Sequence, residues 1–319
     1  MTGAAGFLGS HLCDALLRRG DSVVGIDNLS TGLLENLASA ARSTDFEFIR
    51  ADVCEPLELS GPVDAVAHLA SPASPPEYLR MPIETLRVSS RGTEHAAALA
   101  LRHNARLLFT STSEIYGEPQ MHPQPESYWG NVNSVGPRSV YDEAKRFGEA
   151  MTVAYASALH LNAGIVRIFN TYGPRLRPGD GRVVSNFIRQ ALGETALTIY
   201  GTGAQTRSFC YVDDLVDGLV KMLDSSLLGP VNLGNPEEVT ILQLANAVIA
   251  LTGSRAALEY HALPVDDPTR RCPDISRAKQ FLQWAPTIPL NEGLAATIDW
   301  FTVPLRSDPT SQCPSGLAT

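Results

Sequence analysis

The sequence predicts a doubly wound parallel α/β sheet with a smaller mixed α/β lobe, and three observations predict it. Short apolar, β-rich bursts alternate with longer amphipathic stretches through the first two thirds of the chain. That alternation implies right-handed crossovers and a parallel sheet covered on both faces. A glycine-rich loop opens the first helical stretch, and Asp27 and Asp52 end the next two bursts. Later segments mix short helices with irregular, Pro- and Gly-bearing stretches, as expected of a lobe over the carboxyl edge of the sheet.

Strands are predicted at Ser22–Asp27, Phe46–Ala51, Val63–Leu69, Arg106–Ser111 and Asn162–Phe169. Long helices are predicted at Gly9–Arg19, Pro82–His103 and Ser139–Leu159, and shorter ones at Val183–Leu192, Val212–Asp224, Ile241–Thr252 and Leu290–Phe301. Residues 1–168 plus about 210–235 form the predicted dinucleotide-binding domain, and 169–209 plus 236–303 the lobe. The polar, aperiodic tail over 304–319 is expected to be disordered. A buried strand should precede the glycine loop, yet only Met1 and Thr2 stand before Gly3. The expectation is therefore that the natural polypeptide starts upstream, because the central strand of such a sheet pairs on both sides.

The chain has 319 residues and a formal net charge of −9, which argues against a nucleic-acid surface. An anionic ligand then needs a local cluster of cations. The five cysteines are odd in number and none lies at metal-ligand spacing, so neither disulfides nor a metal site is expected. No run of about 18 apolar residues exists to span a bilayer, and no signal peptide is apparent. A cytoplasmic protein without nucleic-acid or membrane partners is expected.

Thr2-Gly3-Ala4-Ala5-Gly6-Phe7-Leu8-Gly9 reads T-G-x-x-G-x-x-G ahead of a helix. Glycines let the backbone turn tightly and its N–H groups approach a pyrophosphate at a helix N-terminus. Asp27, followed by Asn28, lies where an acidic residue holds the adenosine ribose, and its charge favours NAD over NADP. Asp52-Val53 and Leu69-Ala70-Ser71 end the next two strands along the same edge. The competing reading of Asp27 and Asp52, ordinary strand-to-loop capping, loses to a glycine loop in frame. A Rossmann-like NAD site follows.

Tyr141-Asp142-Glu143-Ala144-Lys145 sets a phenol and an ammonium one helical turn apart on one face. A tyrosine near pKa 10 needs help to act as a base; a nearby Lys145 and a positive nicotinamide ring would both favour the phenolate. Thr112, just after the predicted Arg106–Ser111 strand, supplies a hydroxyl to orient a sugar alcohol. A lone YxxxK is more often a solvated helix pair; with the glycine loop and Ser111-Thr112-Ser113-Glu114-Ile115-Tyr116-Gly117, the catalytic reading prevails.

Together these segments resemble the extended short-chain dehydrogenases acting on nucleotide sugars, and within them the UDP-glucuronate decarboxylases. The resemblance runs almost end to end: the glycine loop and YxxxK are shared widely, while Leu69–Tyr78 (LASPASPPEY), Tyr128–Asn133 (YWGNVN) and Asp180–Phe187 (DGRVVSNF) look specific to the decarboxylases. It implies NAD-dependent conversion of UDP-glucuronate to UDP-xylose. C4 is oxidised, carbon dioxide leaves the resulting β-keto acid, and the same bound cofactor re-reduces C4. Related 4,6-dehydratases carry Asp-Glu where this chain has Ser113-Glu114, so the acid for dehydration is missing.

By the same resemblance Glu114 and Arg207 are the distinctive catalytic pair, with Arg207 expected to meet the sugar carboxylate. Asn170, Arg182, Asn186, Gln205 and Arg271 are expected on the UDP side, Tyr200 against the uracil and Tyr78 near the carboxylate. A homodimer through the two longest helices is implied as well. The alternatives are a UDP-glucuronate 4-epimerase, a decarboxylase that releases the 4-keto pentose, and, from another class, a non-catalytic nucleotide-binding protein. The last should have lost Tyr141, Lys145 or Thr112; all three are present.

Overall fold

A computed structural model describes residues 1–263 and 270–307, with side chains through Thr302. The sheet half opens with α1 (Phe7–Arg19), β1 (Val23–Asp27), β2 (Phe46–Arg50) and β3 (Ala65–His68). It continues through α2 (Pro75–Arg80), α3 (Pro82–Arg87), α4 (Thr93–His103), β4 (Arg106–Thr112), α5 (Ser139–Leu159) and β5 (Ala163–Ile168). Then follow β6 (Thr171–Tyr172), α6 (Val183–Leu192), β7 (Leu197–Tyr200), β8 (Thr206–Ser208), β9 (Cys210–Tyr211) and α7 (Val212–Asp224). The chain closes with β10 (Val231–Leu233), β11 (Glu238–Thr240), α8 (Ile241–Thr252), β12 (Leu258–His261), α9 (Ser276–Leu282) and α10 (Leu290–Ser307).

The main sheet is parallel throughout. β1 pairs with β2 on one side, and β3, β4, β5 and β10 run in order on the other. Thr2 joins the two halves by bridging Ile26 of β1 and His68 of β3. Its N–H donates to Ala67 O at 2.9 Å, and Leu69 N–H donates back to Thr2 O at 3.2 Å. Met1 and Thr2 thus occupy the slot where strand order reverses, the place at which doubly wound sheets bind ligands. Apolar clusters cover both faces: Leu12, Leu108, Val166, Leu215 and Leu219 lie in one, and Val66, Ala96, Leu99 and Leu107 in the other. Burial on both faces explains why β4 reads as a continuous run rather than an alternation.

The lobe is built from pairs: β8 runs antiparallel to β11, β7 parallel to β12, and β6 parallel to β9. Its core is the apolar stripe of α6 (Val184, Phe187, Ile188, Ala191) against Leu244, Ala245 and Val248 of α8. These short strands escape the sequence pattern because each pairs only two to four residues.

Several boundaries differ from expectation. Helix α1 begins at Phe7 rather than Gly9, because Gly6 is its extended N-cap. The helix expected over Pro82–His103 runs its full length but contains a π turn at Val88–Gly92. There a Cβ at Gly92 would come within 3.0 Å of the Val53 side chain, so the wider turn seats bare backbone against the sheet edge. Helix α10 continues to Ser307, past the expected Phe301 and into the segment expected to be disordered; residues 264–269 and 308–319 lie outside the described residues. Among the described residues no helix is long and apolar enough to cross a membrane.

Candidate active site

A cavity of about 410 Å³ opens at the carboxyl edge of the sheet, a size typical of small-molecule sites. Every residue assigned to the cofactor from sequence lines it, from Gly3 through Asp52 to Ser71, as do Tyr141 and Lys145. The loop is tight. A Cβ on Gly9 would sit 2.0 Å from Gly3 O, and Gly3 itself has φ +71° with Ala70 N only 2.7 Å from its Cβ position. No carboxylate occupies the first turn of α1, so its N–H groups and partial positive charge face the cavity uncontested.

The two aspartates are held differently. Asp27 accepts from Ala5 N–H at 3.0 Å and Leu29 N–H at 2.8 Å, so part of its role is the loop cap that competed with cofactor binding. Burial pushes its carboxyl above the ordinary value. Burial also pushes Asp52 up, but donors from Cys54 N–H and Asn28 Nδ2 outweigh it and hold that carboxyl low. These groups fit NAD: a glycine cradle that any Cβ would fill, a free helix terminus and an acidic ribose end.

Toward the sugar end, β4 delivers Thr112, which caps the following turn by accepting from Glu114 N–H at 3.2 Å. Helix α5 presents Tyr141 and Lys145 from one face, both buried. Lys145 Nζ donates to Thr110 O at 2.9 Å, and burial lowers it to about 8. Burial pushes Tyr141 well above the ordinary tyrosine value, opposed by Arg182 and by a hydrogen bond with Thr112. Lys145 is thus held by backbone on the same helix face as Tyr141. Its Nζ is 6.0 Å from the Tyr141 ring centre. Tyr78 stacks on Tyr141 with ring centres 5.1 Å apart.

Glu114 is the electrostatic centre. Arg138 and Arg271 both bond its carboxylate. Burial would raise it, but the two guanidiniums hold it at about 2. Asp142 lies in the same cluster; burial and then Glu114 push it up to about 7. Arg271 Nη2, Asp142 Oδ1 and Ser111 Oγ are buried without a hydrogen-bond partner among the described residues, the signature of polar groups awaiting a ligand.

Of the expected substrate residues, Asn170 and Arg182 line the cavity, whereas Tyr78, Asn186, Tyr200, Gln205, Arg207 and Arg271 do not. Asn186 bonds Gly181 O at 3.0 Å, and Gln205 bonds Tyr200 O at 2.7 Å with the Tyr200 ring half exposed. Arg271 reaches Glu114, and Arg207 lies on β8, where its Nη1 bonds Thr206 O at 2.9 Å. The sequence reading passed over Arg138 and Asp142. Their only local signal is their place beside Tyr141, on the turn that starts α5.

The family model described as "NAD dependent epimerase/dehydratase family" matches residues 1–234. UDP-glucuronic acid decarboxylase 1 of Danio rerio is 50% identical over 312 residues, 98% of this chain and 74% of that protein. UDP-glucuronic acid decarboxylase 3 of Arabidopsis thaliana is 50% identical over 92% of this chain and 86% of its own length. Among solved structures, UDP-glucuronic acid 4-epimerase from Bacillus cereus, in complex with UDP-glucuronic acid and NAD, superposes with a TM-score of 0.84 at 31% identity, covering 94% of this chain and 98% of that one. Glycine cradle, helix terminus and tyrosine–lysine face thus meet a match over most of the chain, and the protein belongs to the NAD dependent epimerase/dehydratase family.

Proposed function

We propose that the protein converts UDP-glucuronate to UDP-xylose and carbon dioxide, with NAD as a cofactor that is used and restored within one cycle. The observation that carries this reading is Arg271, buried beside the cavity-lining Glu114 with Nη2 unpartnered among the described residues. A carboxylate on C5 of the sugar supplies the missing acceptor. The decarboxylases, at 50% identity, support it over the epimerase at 31%.

Tyr141 accepts the C4 hydroxyl proton while Thr112 orients that hydroxyl. The Gly3–Gly9 loop, Asp27 and Asp52 would hold NAD, which would supply a hydride acceptor and donor at C4 and a positive ring that favours the Tyr141 phenolate. The ketone at C4 makes the C5 carboxylate a β-keto acid. Its C5–carboxyl bond breaks, carbon dioxide departs, and the electron pair moves into the C4 oxygen as an enolate that Tyr141 and Thr112 stabilise by hydrogen bonding. C5 then takes up a proton and Tyr141 returns its own to O4. With Glu114 ionised at about 2, that carboxylate anchors Arg271 and is not the C5 proton donor. Ser113 adds no charge beside the sugar carboxylate. Lys145 braces the helix face under Tyr141.

Arg207 is assigned to the anionic substrate, on the strand that Ser208 Oγ ties to Arg271 O at 3.3 Å. Arg182, Asn186 and Asn170 take the diphosphate, Tyr200 and Gln205 the uracil and Tyr78 the sugar. A homodimer is supported by the exposed Ile83, Leu86, Phe147 and Val153 on α3 and α5, and a cytoplasmic setting by four free cysteines among the described residues. The test is to incubate the protein with UDP-glucuronate and no added NAD. UDP-xylose and carbon dioxide in equal amounts are expected; a UDP-hexuronate epimer without carbon dioxide would overturn the proposal.

A further inference from the structure

We propose that His122, Glu238 and Cys272 form a binding site for one divalent transition ion of the zinc class. Their ligand atoms lie within 4.8 Å of one another. His122 Nε2 and Glu238 Oε2 are 2.9 Å apart, and Cys272 Sγ now bonds Pro236 O at 3.3 Å. Sequence spacing hides this group, because it comes from three separate segments.

The donor set decides the ion. A thiolate, an imidazole and a carboxylate together suit zinc or cobalt, whereas magnesium and calcium demand oxygen. Three protein ligands leave the fourth tetrahedral position to water. The ion arrives from the side of His122 and Glu238, whose side chains are 28% and 27% exposed. On binding, Cys272 releases its thiol proton to solvent and Sγ turns from Pro236 to the ion.

Such an ion would clamp the segment that holds Arg271. Cys272 follows Arg271 directly; Gln124 N–H donates to Cys272 O and Cys272 N–H to Gln124 Oε1, both at 2.8 Å. Glu238 pairs across β11 and β8 with Ser208, whose Oγ reaches Arg271 O. The site binds its ion whether or not the reaction proposed above is the right one.

The test titrates the untagged, chelator-stripped full chain with Co²⁺. Expected are one Co²⁺ per chain, the intense visible bands of a tetrahedral site and a thiolate-to-cobalt charge-transfer band, all reversed by Zn²⁺. C272S should abolish the charge-transfer band. H122Q and E238Q, at partly exposed positions, should weaken binding by at least the roughly tenfold that a lost outer-shell partner costs. Circular dichroism confirms that each variant is folded. A wild-type protein without the thiolate band, a band that survives C272S, or binding indifferent to both H122Q and E238Q would each overturn the site.

Discussion

Along the cofactor side of the cavity the surface is largely backbone, supplied by the Gly3–Gly9 loop and the ends of β1 to β3, whereas at its other end Glu114 is backed by a charged cluster from distant segments. The first is written locally: a turn, a helix start, an aspartate after a strand. The second exists only once Glu114, Arg138 and Arg271 converge, the last from 157 positions away.

Breaking each side should give different losses. The largest is expected at their junction. Tyr141→Phe should lower kcat by about 10²–10⁴-fold, the range for removing a general base, with NAD and UDP-sugar binding retained by calorimetry. Arg271→Ala should weaken UDP-glucuronate by about 2–5 kcal/mol, roughly 30-fold or more, while NAD affinity stays within twofold or so. A larger loss in Arg207→Ala than in Arg271→Ala would return the carboxylate to Arg207.

Stability against pH separates two acids of the same cluster. Asp142 holds its proton up to about 7 in the folded protein against a usual 3.8. Folding therefore takes up a proton between these values, and wild type loses stability as pH rises through them. Asp142→Asn should be the more stable protein at pH 8 by about 1–4 kcal/mol, a gain that fades below pH 4. Glu114 has the opposite sign. Its folded value of about 2 against a usual 4.5 contributes stability above pH 4.5 that is lost as pH falls toward 2. Urea unfolding of wild type, Asp142→Asn and Glu114→Gln across pH reads both. The smallest effect belongs to the backbone side: Gly9→Ala, with its Cβ 2.0 Å from Gly3 O, should cost about 1–3 kcal/mol of stability and weaken NAD while sparing UDP binding.

The same contrast explains what the sequence discloses. The parallel sheet, α5, α6, α7 and α8 follow from periodicity, and the cofactor loop from a motif whose glycines answer a steric demand at Gly3 and Gly9. The π turn at Val88–Gly92 has no periodic signal, and the lobe strands are too short to show one. Placing Arg271 beside Glu114 requires knowing how β8 and the 270–274 segment pack, which no spacing encodes. The helical turn puts Lys145 on the face of Tyr141, but spacing does not encode that its ammonium also donates to Thr110 O.

The central claim is a closed cycle at C4 around Tyr141, and UDP-glucuronate deuterated at C4 tests it most directly. The predicted product is UDP-xylose that keeps its deuterium at C4, with carbon dioxide released and no net NADH, by NMR and mass spectrometry. UDP-xylose that has exchanged its C4 deuterium, or a labelled UDP-sugar that keeps its carboxylate, would contradict the account.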